Sequence, residues 1–195
     1  MPTLLYLHGY NSSSQSKKAL QTKQWMALNA PQIKFICPDL LPYAKSTVDT
    51  LSSIIEAHQP EPVFVVGSSM GGFFASYLME QYDLRGVLIN PAVNPTRGLA
   101  NWIGENTNYM SGEKWLFESH HIDEFRQFES KRITLKSNYL VLLQTGDDVL
   151  DYRDAQIHYA GAKIIIEQGG DHSFIDYDQH LEAIHQFLIL DSTIN

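Results

Sequence analysis

The segment Gly67-Ser68-Ser69-Met70-Gly71 has the G-x-S-x-G spacing of a nucleophile elbow. It follows the apolar run Val63-Phe64-Val65-Val66 and precedes Gly72-Phe73-Phe74-Ala75-Ser76-Tyr77-Leu78, which sets the serine between a strand-like and a helix-like stretch. Acyl-transfer chemistry needs this setting because the serine oxygen must stand clear of the sheet. Glycines two residues to either side let the backbone and the following helix approach without Cβ clashes. Ser69 is therefore the candidate nucleophile. An ordinary strand-to-helix loop can carry the same residue types, so the remaining catalytic parts have to decide.

An elbow serine needs a base and an orienting carboxylate, which follow it in the chain order Ser, Asp or Glu, then His. After the apolar run Tyr139–Leu143 comes Gln144-Thr145-Gly146-Asp147-Asp148-Val149-Leu150-Asp151, a carboxylate-rich loop at the carboxyl end of an expected strand. After Lys163–Ile166 comes Gly169-Gly170-Asp171-His172-Ser173-Phe174, a glycine-rich loop able to bring an imidazole to Ser69. His172 is the candidate base, since an unperturbed imidazole near pKa ~6.5 can take a proton at neutrality and return it. Asp147 is the first choice of acid because it heads an Asp-x-Val-Leu run. Asp148 comes second and Asp151 third, and at least two of the three must be solvated or helix-capping carboxylates. The oxyanion hole is expected from the backbone N–H of Tyr10, in the turn His8-Gly9-Tyr10, and that of Met70.

The other histidines compete weakly. His120-His121 with Asp123 raises the question of a metal, but adjacent helical histidines are expected to diverge and no second ligand cluster has suitable spacing, so a surface position is expected and no metal is called for. His180 and His185 lie off the apolar stripe of the last helix, and His158 has no informative surroundings. His58 ends a helix, where a cation is favourable.

The elements that must position these residues can be read from hydrophobic patterning. Apolar runs at Thr3–Leu7, Lys34–Cys37, Pro62–Val66, Gly86–Ile89, Tyr139–Leu143 and Lys163–Ile166 predict six strands. Most are continuously apolar, which points to a parallel sheet covered on both faces. Between them, Ala44–His58 places Val48, Leu51, Ile54 and Ile55 on one helical stripe, and Leu181, Ile184, Phe187 and Leu188 do the same near the end. The alternation is β-α, hence an α/β fold with helices on both faces. Residues 91–135 interrupt it with Trp102, Tyr109, Trp115, Phe117, Phe125 and Phe128 among polar residues, and are expected to form a small helical cap insertion within a single domain spanning 1–195.

Composition narrows the class. At 195 residues the chain has room for one substantial core, and its net charge of -8 disfavours nucleic acid or an anionic membrane surface as partner. Small basic groups such as Lys17-Lys18 and Lys131-Arg132 are expected to be solvated faces. The single cysteine, Cys37, rules out an internal disulfide and is expected as a buried strand residue. The apolar stretch Leu4-Leu5-Tyr6-Leu7 stops at His8-Gly9, too short for a signal core or a membrane span, so a soluble, cytoplasmic protein acting on a small molecule is expected.

Taken together, Leu4-Leu5-Tyr6-Leu7-His8-Gly9, Gly67-Ser68-Ser69-Met70-Gly71-Gly72, Asn90-Pro91-Ala92-Val93, Thr145 through Tyr152 and Gly170-Asp171-His172-Ser173-Phe174 resemble the serine α/β-hydrolases, and within them the small bacterial YqiA-type esterases. The resemblance implies a compact three-layer hydrolase fold without the usual two leading strands, with the second strand outside the first and the other four on the opposite side. It further implies a Ser69-Asp147-His172 triad that cleaves acyl esters of short to medium chain, or acyl thioesters, without a cofactor. The long lid of true lipases is missing, which argues against emulsified lipid as substrate. An amidase or peptidase would use the same triad. A catalytically silent ligand-binding domain is the rival of another class, because fold does not establish function.

Overall fold

In the computed structural model, residues 1–108, 112–130 and 132–189 are described; Tyr109 and Lys131 lie outside them. Six strands form one sheet: β1 (Thr3–Leu7), β2 (Lys34–Ile36), β3 (Val63–Ser68), β4 (Arg85–Ile89), β7 (Tyr139–Gln144) and β8 (Lys163–Glu167). Their spatial order is β2-β1-β3-β4-β7-β8 and every pairing is parallel, as the resemblance implies. The strand carrying the elbow therefore lies inside the sheet. Each strand's carboxyl end opens on the same edge of the fold, where catalytic loops of parallel sheets gather.

Side-chain alternation divides the core into two layers. Leu5, Leu7, Val63, Val65, Leu88, Val141 and Leu143 face one way, packing with Val48, Leu51 and Ile55 of α2 (Ala44–His58) and with Phe73, Phe74 and Leu78 of α3 (Met70–Tyr82). Leu4, Tyr6, Phe64, Val66, Val87, Ile89, Leu140 and Leu142 face the other way. They pack against Ala19 and Met26 of α1 (Lys17–Asn29) and against Leu181, Ile184, Phe187 and Leu188 of α7 (Leu181–Ile189). Continuous apolar strands are thus buried on both faces, as a covered parallel sheet requires.

The insertion is not helical throughout. Besides α4 (Thr96–Leu99) and α5 (Ser119–Phe128), it contains an antiparallel hairpin of β5 (Gly104–Thr107) and β6 (Lys114–Phe117). β5 alternates exposed and partly covered residues with no apolar side chain, and in β6 the short run Trp115-Leu116-Phe117 buries only Phe117 fully, so neither strand carries the fully covered apolar run of the main sheet. Its aromatics gather instead of scattering: Tyr10 meets Trp102 at 5.2 Å and Trp115 at 5.6 Å between ring centroids, and Trp102 stacks on Trp115 at 6.1 Å. Phe125 and Phe117 are fully buried beneath them. Between β7 and β8 lies α6 (Tyr152–His158). Among the described residues no helix is long and apolar enough to cross a membrane.

Candidate active site

The backbone at Ser69 is strained, as expected of a nucleophile elbow. Ser69 has φ 54° and ψ -121°, a conformation unfavourable for any residue with a Cβ, and it is held there by a dense set of backbone bonds. Its N–H donates to Ile89 O at 3.0 Å, while its carbonyl accepts from Gly72, Phe73 and Ala92. The glycine requirement is clearest at position 71. A Cβ there would sit 2.1 Å from Leu7 O and 2.5 Å from His8 O, so α3 can begin this close to β1 only without one.

Three loops bring the expected groups together. Ser69 follows β3, Asp147 follows β7 and His172 follows β8. His172 Nε2 lies 2.9 Å from Ser69 Oγ, and His172 Nδ1 lies 2.8 Å and 3.0 Å from the two Asp147 carboxylate oxygens. A carboxylate only accepts, so Nδ1 carries the ring proton and Nε2 is left to accept from the serine hydroxyl. The Asp147 side chain is 2% exposed. Burial opposes its ionisation, yet the bonds from His172 and from the Leu150 and Val149 N–H groups prevail and hold its pKa below the ordinary carboxylate value. Asp148 is exposed, and Asp151 is the N-cap of α6, where it accepts from Arg153 N and pairs with the Arg153 guanidinium.

The backbone N–H groups of Tyr10 and Met70 make no hydrogen bond among the described residues, and both flank Ser69. Met70 is the first residue of α3, where an N–H has no intrahelical partner and the helix dipole favours negative charge. His8 stands beside them in a fixed neutral state: its Nδ1–H donates to Gly9 O at 2.8 Å and its Nε2 accepts from Leu40 N at 2.9 Å. Burial lowers its pKa, against the Gly9 hydrogen bond and Asp39.

The histidine loop depends on two residues to which sequence reasoning assigned no role. Gln144, at the end of β7 and 4% exposed, accepts from the Asp171 and Ile175 N–H groups at 3.2 Å and 2.9 Å and donates to Ile175 O at 2.9 Å and to Glu167. Asn90 donates to Asp171 O at 3.0 Å and accepts from Gln144 N at 3.0 Å. Neither contact leaves a local sequence signal, since partners lie far apart in the chain.

Lys18 also differs from expectation. Lys17 is exposed, but Lys18 reaches into the site and donates to Ser173 O at 2.7 Å. Burial lowers its pKa to about 8, opposed by Asp171 and Asp147. His120 and His121 likewise do not diverge: their rings lie 3.9 Å apart because His121 turns back to accept the Glu118 N–H and cap α5. With Glu118 they place three potential ligand atoms within 4.8 Å of one another. The cluster sits at the positive end of α5 and spends His121 Nδ1 on the cap, which works against a cation. His58, in the last turn of α2, bonds Ile54 O through Nδ1 and lies 2.9 Å from Lys34 Nζ through Nε2. Cys37 falls just beyond β2 and is partly covered; burial pushes its thiol up to about 12, consistent with an inert thiol.

Two hollows meet at Ser69. One, of about 490 Å³, lies under the insertion and has an apolar wall of Ala92, Val93, Leu99, Trp102, Val149 and Leu150. The other, of about 380 Å³, is lined by His172 together with Tyr6, Ser12, Ser16, Lys18 and Ser173.

Comparison with known proteins places this geometry in context. The family model described as "Uncharacterised protein family (UPF0227)" matches residues 3–189. A UPF0227 protein of Yersinia pseudotuberculosis serotype O:1b is 27% identical over 193 residues, covering 96% of this chain and 99% of that one. Est1E from Butyrivibrio proteoclasticus, in a structure with bound ferulic acid, superposes with a TM-score of 0.75 at 12% identity, covering 99% of this chain and 90% of that chain. Alpha/beta hydrolase domain-containing protein 10 from mouse gives a TM-score of 0.75 at 16% identity, with 99% and 90% covered. At these identities the structural likeness shows a shared α/β-hydrolase fold.

Proposed function

The chain belongs to the UPF0227 family, and from that premise and the geometry of its site we propose that it is a serine hydrolase cleaving acyl esters of short to medium chain, or acyl thioesters. The observation that carries this reading is the continuous relay from Ser69 Oγ through His172 to a buried, ionised Asp147, ending on a serine held in strained backbone. A binding module has no need of that strain or of that relay.

In the reaction, Ser69 Oγ attacks the acyl carbon as His172 Nε2 takes its proton. Asp147 keeps the imidazole in the required tautomer and stabilises the imidazolium. The N–H groups of Tyr10 and Met70 receive the negative charge that develops on the carbonyl oxygen. His172 then gives its proton to the leaving group, and water repeats the sequence in reverse to free the acid. The apolar hollow under the insertion suits the acyl chain, and its modest volume supports a limited chain length. Est1E, on the same fold, holds ferulic acid.

The test is hydrolysis of p-nitrophenyl esters from acetate to palmitate by the wild type and by Ser69→Ala, with fluorophosphonate labelling of Ser69 in parallel. Serine-dependent turnover with an optimum chain length, and labelling abolished in Ser69→Ala, are expected. Folded protein that neither turns over nor labels would return the chain to the binding-module reading.

A further inference from the structure

Of the two hollows beside Ser69, His172 decides which one takes the leaving group. The imidazole must protonate the departing oxygen or sulfur, so the leaving group has to lie on the side that His172 faces. That is the smaller hollow, lined by Ser12, Ser16, Lys18 and Ser173, whereas the cation in the larger one, Arg97, is already paired with Asp154. Lys18 has three N–H donors and spends one on Ser173 O, and among the described residues no carboxylate reaches it at ion-pair distance. Ser16 is the N-cap of α1 yet makes no side-chain capping bond, which leaves its hydroxyl available. Tyr6 forms part of the same wall, with its hydroxyl fully buried and without a hydrogen-bond partner among the described residues. A partly desolvated ammonium with spare donors, beside hydroxyls that have no protein partner, is complementary to an anion.

Resting on the hydrolase reading above, we propose that the Lys18 side of the cleft is an anion-recognising leaving-group subsite, so that the alcohol or thiol half of the substrate carries a carboxylate or phosphate while the acyl half is apolar. In the reacting complex the bond from Ser69 Oγ to the acyl carbon forms and the bond from that carbon to the leaving oxygen or sulfur breaks. The proton taken from Ser69 passes from His172 Nε2 to the leaving atom. Lys18 takes no part in these transfers; it holds the anion of the leaving group against the wall that His172 faces.

The experiment compares three butyryl esters that share one acyl group: meta-butyryloxybenzoate, meta-butyryloxyphenyl phosphate and the neutral meta-butyryloxybenzamide. The wild type is expected to prefer at least one anionic ester, and Lys18→Met to cut that preference by about 10-fold, the scale of one charge-assisted hydrogen bond. Lys18→Arg should retain it. Whichever anion shows the Lys18 dependence is the group recognised. If Lys18→Met lowers all three rates together and leaves their ratios unchanged, Lys18 only steadies the histidine loop through Ser173 and the proposal falls, with the hydrolase reading intact. If none of the esters is cleaved in a Ser69-dependent manner, the hydrolase reading falls and takes the proposal with it. A measurement on the wild type alone guards against a misfolded variant: meta-hydroxybenzoate or meta-hydroxyphenyl phosphate should inhibit p-nitrophenyl butyrate hydrolysis at concentrations about 10-fold below meta-hydroxybenzamide, and equal inhibition by all three would overturn the proposal.

Discussion

Replacing Asp147 by asparagine separates the role of charge and tautomer from that of shape. The carboxylate accepts from three N–H groups: the His172 Nδ1–H, shared between its oxygens at 2.8 Å and 3.0 Å, and those of Val149 and Leu150, at 2.9 Å and 2.8 Å. Asparagine's single carbonyl oxygen can keep the two backbone bonds at the Oδ1 position, so the loop should hold its shape. Its amide then faces His172 and donates where the carboxylate accepted. Nδ1 must become the acceptor, the ring proton moves to Nε2, and the group 2.9 Å from Ser69 Oγ can no longer take a proton from it. The cost expected from a wrong tautomer is about 10⁴-fold in kcat, or roughly 5.5 kcal/mol of transition-state stabilisation. Asp148→Asn is the control: its carboxylate is exposed, and a change within about 2-fold is expected of a surface position. The assay is steady-state hydrolysis of p-nitrophenyl butyrate with thermal melting alongside. Asp147→Asn that melts like the wild type yet keeps kcat within tenfold of it would refute the tautomer argument, and a large loss in Asp148→Asn would move the acid by one residue.

Two further substitutions probe the scaffold. Gly71→Ala puts a Cβ against the backbone oxygens of Leu7, which ends β1, and of His8 just after it, neither of which can rotate away, so a destabilisation of about 3 kcal/mol and a melting temperature roughly 10 °C lower are expected; a melt within a degree or two of the wild type would show that α3 shifts without cost. His8 is neutral in the fold with a lowered pKa, whereas the unfolded chain protonates it at the ordinary value, so its contribution to stability is present above about pH 6.5 and is lost as pH falls. Urea midpoints at pH 7.5 and 5.5 should therefore fall further in the wild type than in His8→Gln, with His158, also lowered by burial, supplying part of the remaining slope; equal drops in the two proteins would exclude His8 as a source.

The parts of the site that were legible in the sequence are those whose constraints are local. The elbow needs glycines at fixed offsets between a strand and a helix, and the strands betray themselves by unbroken apolar runs because both faces are covered. Asp147 and His172 could be picked out as candidates because each sits in a loop directly after an apolar run. What escaped is held by long-range contacts. Gln144 reads as the polar end of a strand, and only the approach of residues 167–175 turns it into a bracket for the histidine loop. Lys18 sits in a polar run and looks solvated until the loop carrying Ser173 folds over it. The β5–β6 hairpin lacks apolar alternation strong enough to announce it. The helix α1 was unmarked because one of its few buried positions is Thr22, whose hydroxyl bonds Lys18 O and Tyr177.

The bracket around the histidine loop has a physical consequence of its own. Of the four contacts made by the Gln144 side chain, three run between an uncharged amide and the backbone of residues 171 and 175. Mobile ions cannot shield an attraction between neutral dipoles at contact distance as they shield separated charges. The part of the imidazole's seat that Gln144 supplies is therefore indifferent to ionic strength, and raising salt from dilute buffer to molar should not loosen the histidine loop at residues 171 and 175.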